Sequence, residues 1–283
     1  MMFLLLPWLG ATASSAPAPS YSEIGFDPHM LDASAPTRDR LDRFDALMKQ
    51  ANSGQVRAQD LAGTLFWQGP AIEGSPVPRN LAQARNLLAN AAVNGEVMAM
   101  AKLAELELGA GRTNQAMVWA QMYARYRDPT TSVRSRSRRQ SSYTSGLITR
   151  ILKAGGAIDK TTKSEVASMV ARFDNSIRRG IDEFSALRRS GSTYLFRYPS
   201  GRDKREDVNV SGFAEYMIEF DPDGKPTRMW LLDSVPTARV DTVVRPYLDL
   251  ALANKVSSDT GPRYLKIPII HSAVKYKTLR PTH

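Results

Sequence analysis

The first apolar pattern along the chain has helical spacing. Between Thr37 and Gln50 the apolar positions are Leu41, Phe44, Leu47 and Met48. Intervals of three and four place them on one stripe, which predicts an amphipathic helix. A motif then repeats. Ala51-x-x-Gly54-x-x-x-Ala58 returns as Ala92-x-x-Gly95-x-x-x-Ala99, an offset of 41 residues. Each copy leads into an apolar helical run: Leu61, Ala62 and Leu65 in the first, Leu103, Leu106 and Leu108 in the second. Gly69, and Gly109 with Gly111, close these runs, and further helices are expected over Leu81–Ala92 and Asn114–Tyr126. A fixed offset of this size is the mark of stacked helical hairpins. The small residues let the two helices of a hairpin approach, and glycine permits the turn between them.

Beyond Tyr126 the pattern weakens. Residues 128–146 are rich in Ser, Thr, Arg and Pro and read as a loop. A helix is expected over Ser145–Ala154, broken by Gly155-Gly156. Thr162-x-x-Glu165 reads as a capping box opening a long helix. Its stripe is Val166, Met169, Val170, Phe173, Ile177, Ile181, Phe184 and Leu187, and Gly191 stops it. That stripe predicts packing on the preceding helices, with a homodimer seam as the alternative.

After Gly191 the period changes. Tyr194–Tyr198 is short and aromatic, and Phe213, Tyr216, Ile218 and Phe220 lie in a strand-like run. Asp221-Pro222-Asp223-Gly224 has turn chemistry, so Pro226–Leu232 returns as the second strand of a hairpin. Asp241 precedes a helix carrying Val243, Val244, Tyr247, Leu248, Ala251 and Leu252. Gly261-Pro262 breaks it, and Arg263–His271 is a last strand. The expected fold class is therefore α+β: all-α helical-hairpin repeats, solenoid-like, over residues 35–190, then a small ββαβ domain over 192–283.

Composition sets bounds on this picture. The chain has 283 residues, 42% of them hydrophobic and 23% charged, as in a soluble globular protein. No cysteine is present, which excludes disulfides, thiolate zinc sites and a cysteine nucleophile. Met1–Ala13 combines a short apolar run with Ala11-Thr12-Ala13, a small-residue cleavage pattern. That is the shape of a signal peptide, although no Lys or Arg precedes the run. Residues 1–20 are expected to be a signal peptide and disordered segment, and the protein to be exported. The net charge is +10, and residues 125–190 alone hold 15 Lys/Arg against 6 Asp/Glu. The basic patch is Arg134, Arg136, Arg138 and Arg139. It suits a polyanion, an acidic lipid surface or an acidic partner, or else a solvated connector. No aromatic residues interleave with these arginines, which speaks against a stacking platform for nucleic acid.

Catalytic chemistry is not visible. His29, His271 and His283 lack metal-ligand spacing, and there is no G-x-S-x-G, P-loop or G-x-G-x-x-G motif. Asp39, Asp42 and Asp45 alternate with arginines as on a solvated helix face. Trp67 and Trp119 fall at packing positions of the hairpins. The expectation is a non-enzymatic protein without cofactor or metal.

Two stretches resemble known families. Ala84, Ala91, Ala92 and Gly95, with Gln115-Ala116, Trp119 and Tyr123, resemble the Sel-like relatives of tetratricopeptide repeats over roughly residues 45–126. The first copy departs from that pattern by an insertion, Gly69–Asn80, with three prolines. Gly212, Asp221-Pro222-Asp223-Gly224, Ser234-Val235-Pro236, Asp241 and Ile267-Pro268-Ile269 resemble, in order and spacing, the C-terminal domain of TonB-type energy transducers. This second resemblance implies a periplasmic location and binding of an outer-membrane TonB-dependent transporter by strand addition. The last strand would be the edge, and Pro268, which cannot donate to a ladder, agrees. The residues implicated are Tyr264, Leu265, Lys266 and Ile267. No retained membrane anchor and no long Pro/Lys-rich arm is evident, so a binding adaptor fits better than an energy transducer. A basic polyanion-binding envelope protein is the third reading.

Overall fold

The computed structural model describes residues 27–127, 142–190, 211–221, 225–253 and 264–271. The basic patch Arg134–Arg139, the Tyr194–Tyr198 run and the signal-like N-terminus lie outside the described residues. Mostly helical, the protein closes on a small antiparallel sheet, so the α+β class holds.

Five helices form the first part: α1 (Thr37–Asn52), α2 (Val56–Gln68), α3 (Leu81–Val93), α4 (Val97–Gly109) and α5 (Thr113–Tyr126). The repeated motif marks the same corner twice. Gly54 joins α1 to α2 with φ 93°, and Gly95 joins α3 to α4 with φ 97°. An L side chain rarely adopts that conformation, so glycine is required at both. The alanines flanking these turns, Ala51, Ala58, Ala92 and Ala99, are all buried. Helices α2 and α4 hold equivalent places in the two hairpins, and both are enclosed on every side along most of their length. The prolyl insertion folds back, placing Ile72 and Val77 in the core beside Met30 and Leu31 of the N-terminal 3-10 turn Pro28–Leu31.

Two more helices flank the hairpins. Helix α6 (Ser142–Lys153) buries Tyr143, Leu147 and Ile151, one side chain per turn. Helix α7 (Lys160–Ser190) packs Val166, Met169, Val170, Phe173, Ile177 and Ile181 against the same core. The α7 stripe thus faces the preceding helices. Gly180 of α7 passes so close to the α3–α4 corner that a Cβ on it would lie 2.0 Å from the Asn94 carbonyl oxygen.

Two sequence expectations need correction. The capping box does not open α7. The helix begins at Lys160, and Asp159 caps it by accepting from the Thr162 backbone N–H at 2.8 Å. The Thr162 hydroxyl instead donates back to the Ala157 carbonyl. An Asx cap three positions upstream outcompeted the Thr-x-x-Glu pattern. Leu41, expected on the buried stripe of α1, is 40% exposed, because the core reaches only Phe44, Leu47 and Ala51 on that helix.

Strands β1 (Gly212–Phe220), β2 (Pro226–Val235) and β3 (Tyr264–His271) form the sheet, with α8 (Arg239–Ala253) between β2 and β3 in sequence. Strand order is β2-β1-β3, both pairings antiparallel. Asp221 and Lys225 close the hairpin, the Asp221 carboxylate accepting from the Lys225 N–H at 2.8 Å. The sheet is covered on both faces. Ala214, Tyr216, Ile218 and Phe220 of β1 pack under α8 with Leu265, Ile267 and Ile269 of β3. The alternate residues Phe213 and Met217 join the cores of the helical hairpins. A bulge in β2 between the pairs Glu215–Asp233 and Tyr216–Leu231 resets its alternation. Trp230 and Leu232, and beyond the bulge Val235, therefore all pack toward the helices.

Candidate functional site

The most unusual chemistry lies where the sheet meets the hairpins. Lys102, in the middle of α4, is fully buried. Its Nζ donates to Asp60 Oδ1 and Oδ2 of α2, each at 2.9 Å, to Thr64 Oγ1 at 2.9 Å, and to Glu215 Oε2 of β1 at 2.7 Å. Lys266 reaches in from β3, bonding Asp60 Oδ2 and approaching Glu215 Oε1 at 3.4 Å. Asp60 and Glu215 are at most 1% exposed. Two ammonium groups thus face two carboxylates, one of each from the helices and one of each from the sheet.

Burial alone would push the Asp60 carboxyl up, yet Lys102 and Lys266 together hold it down at about 2. Burial likewise opposes the charge on Lys266, but Asp60, Glu215 and Glu96 overcome it and raise its affinity for a proton. The half-buried Glu96 caps α4 by accepting from the Met98 N–H, and burial followed by nearby Asp60 raises its carboxyl.

A third sheet-side acid sits beside this quartet. Asp233 of β2 pairs with Glu215 in the strand register and is 4% exposed. Gln68 of α2 donates to Asp233 Oδ1 at 2.7 Å, while Oδ2 has no hydrogen-bond partner. Further along α4, Glu105 accepts from the Tyr143 hydroxyl at 3.0 Å and from Arg150 at 2.8 Å, both on α6. Burial, then Glu105, push the Tyr143 hydroxyl well above the ordinary phenol range. The polar seam therefore runs from α6 through α4 and α2 to all three strands.

The second feature is the outer edge of β3, which among the described residues pairs with no strand. Pro268 stands opposite Glu215 and has no N–H to donate, so that pair is a non-hydrogen-bonded one. Ladder bonds to β1 then fall at Leu265, Ile267 and Ile269, and the backbone groups of Tyr264, Lys266, Pro268 and Ile270 point outward. The four implicated edge residues thus differ in kind. Tyr264 and Lys266 present backbone to the free side, whereas Leu265 and Ile267 turn theirs to β1 and bury their side chains under α8. The Lys266 side chain is committed to Asp60.

No family model, curated protein or solved structure matches this chain.

The remaining candidate residues fall as follows. Among the described residues no group of His and carboxylate side chains is arranged to hold a metal ion. Trp67 is buried, and Trp119 is half-buried against the core. Asp39, Asp42 and Asp45 are exposed along α1. His29 is half-buried, 2.8 Å from Asp27, with its ring edge-on to Trp230 and Tyr264. Lys102, Asp60, Glu215 and Asp233 fall in none of the motifs of the sequence. A signal was available: the 41-residue offset aligns Lys102 with Leu61, a core position, so a charge there replaces a buried leucine.

Proposed function

We propose that this chain is a non-enzymatic adaptor of a Gram-negative-type periplasm, whose C-terminal sheet takes up an extended segment of another envelope protein along the outer edge of β3. The outer edge of β3, unpaired among the described residues, supports this reading above all. Strand addition needs a row of outward backbone groups on a rigid, uninterrupted strand. β3 offers acceptors at Tyr264, Lys266, Pro268 and Ile270 and donors at Tyr264, Lys266 and Ile270, and its pairing with β1 has no register break. The opposite edge, β2, suits this less: two register shifts interrupt it, and Arg228 there bonds Asp32 of the N-terminal segment. Such charges and bulges are how sheets discourage pairing. The resemblance to transducer C-terminal domains names a partner class, an outer-membrane TonB-dependent transporter.

The register chooses the test. A proline at position 270 removes an outward donor and leaves the ladder to β1 intact. A proline at 265 would break that ladder and unfold the edge itself. Crosslinking pull-downs from envelope fractions should recover a transporter with the wild-type chain and lose it with Ile270→Pro, at unchanged circular dichroism. Equal recovery from both chains would refute strand addition at this edge.

A further inference from the structure

Within the buried seam Asp233 has no cation bonded to it. Lys102 and Lys266 match Asp60 and Glu215, and Asp233 is held by the neutral Gln68 amide and the Ser234 backbone N–H. Two carboxylate oxygens lack a hydrogen bond, Asp233 Oδ2 and Glu215 Oε1. They belong to residues directly opposite each other in β1 and β2. The Cβ atoms of such pairs lie about 4.5–5.5 Å apart, within reach of two acidic side chains on one face. Two buried carboxylates facing each other across a strand pair disfavour double ionisation, and a proton on Asp233 removes that repulsion and lets its unpartnered oxygen donate.

We propose that Asp233 and Glu215 share one proton across β1 and β2, and that this proton latches the sheet onto α2 and α4. While it is held, the seam is neutral and the sheet stays seated. Its loss leaves three carboxylates against two lysines inside the interface and loosens the seat. Lys102 donates to Glu215 Oε2 and to neither oxygen of Asp233. Asp233 carries the proton.

The surroundings agree from every side. From α4, Lys102 and Glu105 act on Asp233, and from β1, Glu215 does. On α2 the neighbours are Gln68 and, one lysine away, Asp60. Glu105 is held in turn by Tyr143 and Arg150 of α6. On α8, Asp241 and Arg245 engage Tyr216, which packs on the opposite face of the sheet. Burial pushes the Asp233 carboxyl well above the carboxylate range, and Glu215 and Glu105 reinforce this against the pull of Lys102. An acid raised in this way stabilises the folded protein fully at low pH, and that contribution drains away as pH rises toward the folded value. The latch is therefore closed in mild acid and opens toward alkaline pH. It stands apart from strand addition at β3 and would survive that reading's failure.

Hydrogen exchange of the full chain tests it. Protection of β1 and β2 amides, corrected for the intrinsic pH dependence of exchange, should fall as pH rises above the ordinary carboxylate range, by up to about tenfold per pH unit for one proton. Asp233→Asn places an amide where the protonated acid stood, able to donate to Glu215 but not to ionise. Its protection should fall less steeply over the same range, and the same slope in both proteins would overturn the latch. Should Asp233→Asn not fold, carbon-13 NMR of the wild-type Asp233 carboxyl decides. Protonation persisting at neutral pH upholds the proposal, and titration in the ordinary carboxylate range overturns it.

Discussion

Replacing Lys102 by methionine separates a buried ionic seam from a merely tolerated one. Methionine keeps the length and apolar stem of lysine, so the hole left in α4 is small. What changes is charge. Lys102 is 0% exposed and makes four contacts, two to Asp60, one to Thr64 and one to Glu215. Without it Asp60 and Glu215 have only Lys266, which reaches Glu215 at 3.4 Å. Removing one partner of a buried pair typically costs about 3–5 kcal/mol, because the other charge stays behind without compensation. That is a large share of the roughly 5–15 kcal/mol that holds an ordinary domain folded. Urea denaturation followed by far-ultraviolet circular dichroism measures the loss. Lys102→Met should lower the midpoint strongly, and adding Asp60→Asn and Glu215→Gln should recover part of it, since no buried charge is then stranded. A loss below about 1 kcal/mol, the range of exposed pairs, would refute the reasoning, for it would mean that water reaches the seam.

Further outcomes follow from the corner glycines and from acid. Gly54→Ala and Gly95→Ala both force alanine into a left-handed turn, at about 1–2 kcal/mol each. Only at Gly95 would the new Cβ also meet backbone, 2.6 Å from the Gly180 Cα, whereas Gly54 has nothing within 4 Å. Gly95→Ala should therefore cost more by about 1–3 kcal/mol in chemical denaturation, and equal losses would show that α7 does not cross there. Below pH 4 stability should fall as Asp60 takes up a proton. Its folded value is held down at about 2 from an ordinary 3.8, so its contribution is present above 3.8 and is lost as pH drops toward 2. The loss is about 2 kcal/mol, and Asp60→Asn should show a shallower acid slope in urea titrations from pH 5 to 2.

The helices were legible because their cores are made of spacing. Phe44 and Leu47, the paired alanines about Gly54 and Gly95, and the stripe from Val166 to Ile181 all carry a period that survives without knowledge of the fold. The strands and the Asp221 turn were legible for a similar reason. The seam was not. Asp60, Lys102, Glu215 and Lys266 are far apart in sequence, and each looks alone like a solvated charge. Only the tertiary approach of a helix pair and a sheet makes them neighbours. The start of α7 was misplaced for a local reason, since Asp159 and Thr162 both offer a capping side chain and the upstream one prevailed. The parity of β2 was hidden too, because a bulge at Leu232 leaves no compositional mark.

The sheet rests on α2 and α4, the corresponding helices of the two hairpins. Arrays of helical hairpins commonly offer a surface built from such equivalent helices to an outside partner. In this chain the guest on that surface belongs to the same polypeptide, and α6 occupies the flank of α5. The two halves are therefore not interchangeable parts. Exchanging the sheet for another module would strand Asp60 and Lys102 without Glu215 and Lys266, so each half carries charges that only the other completes.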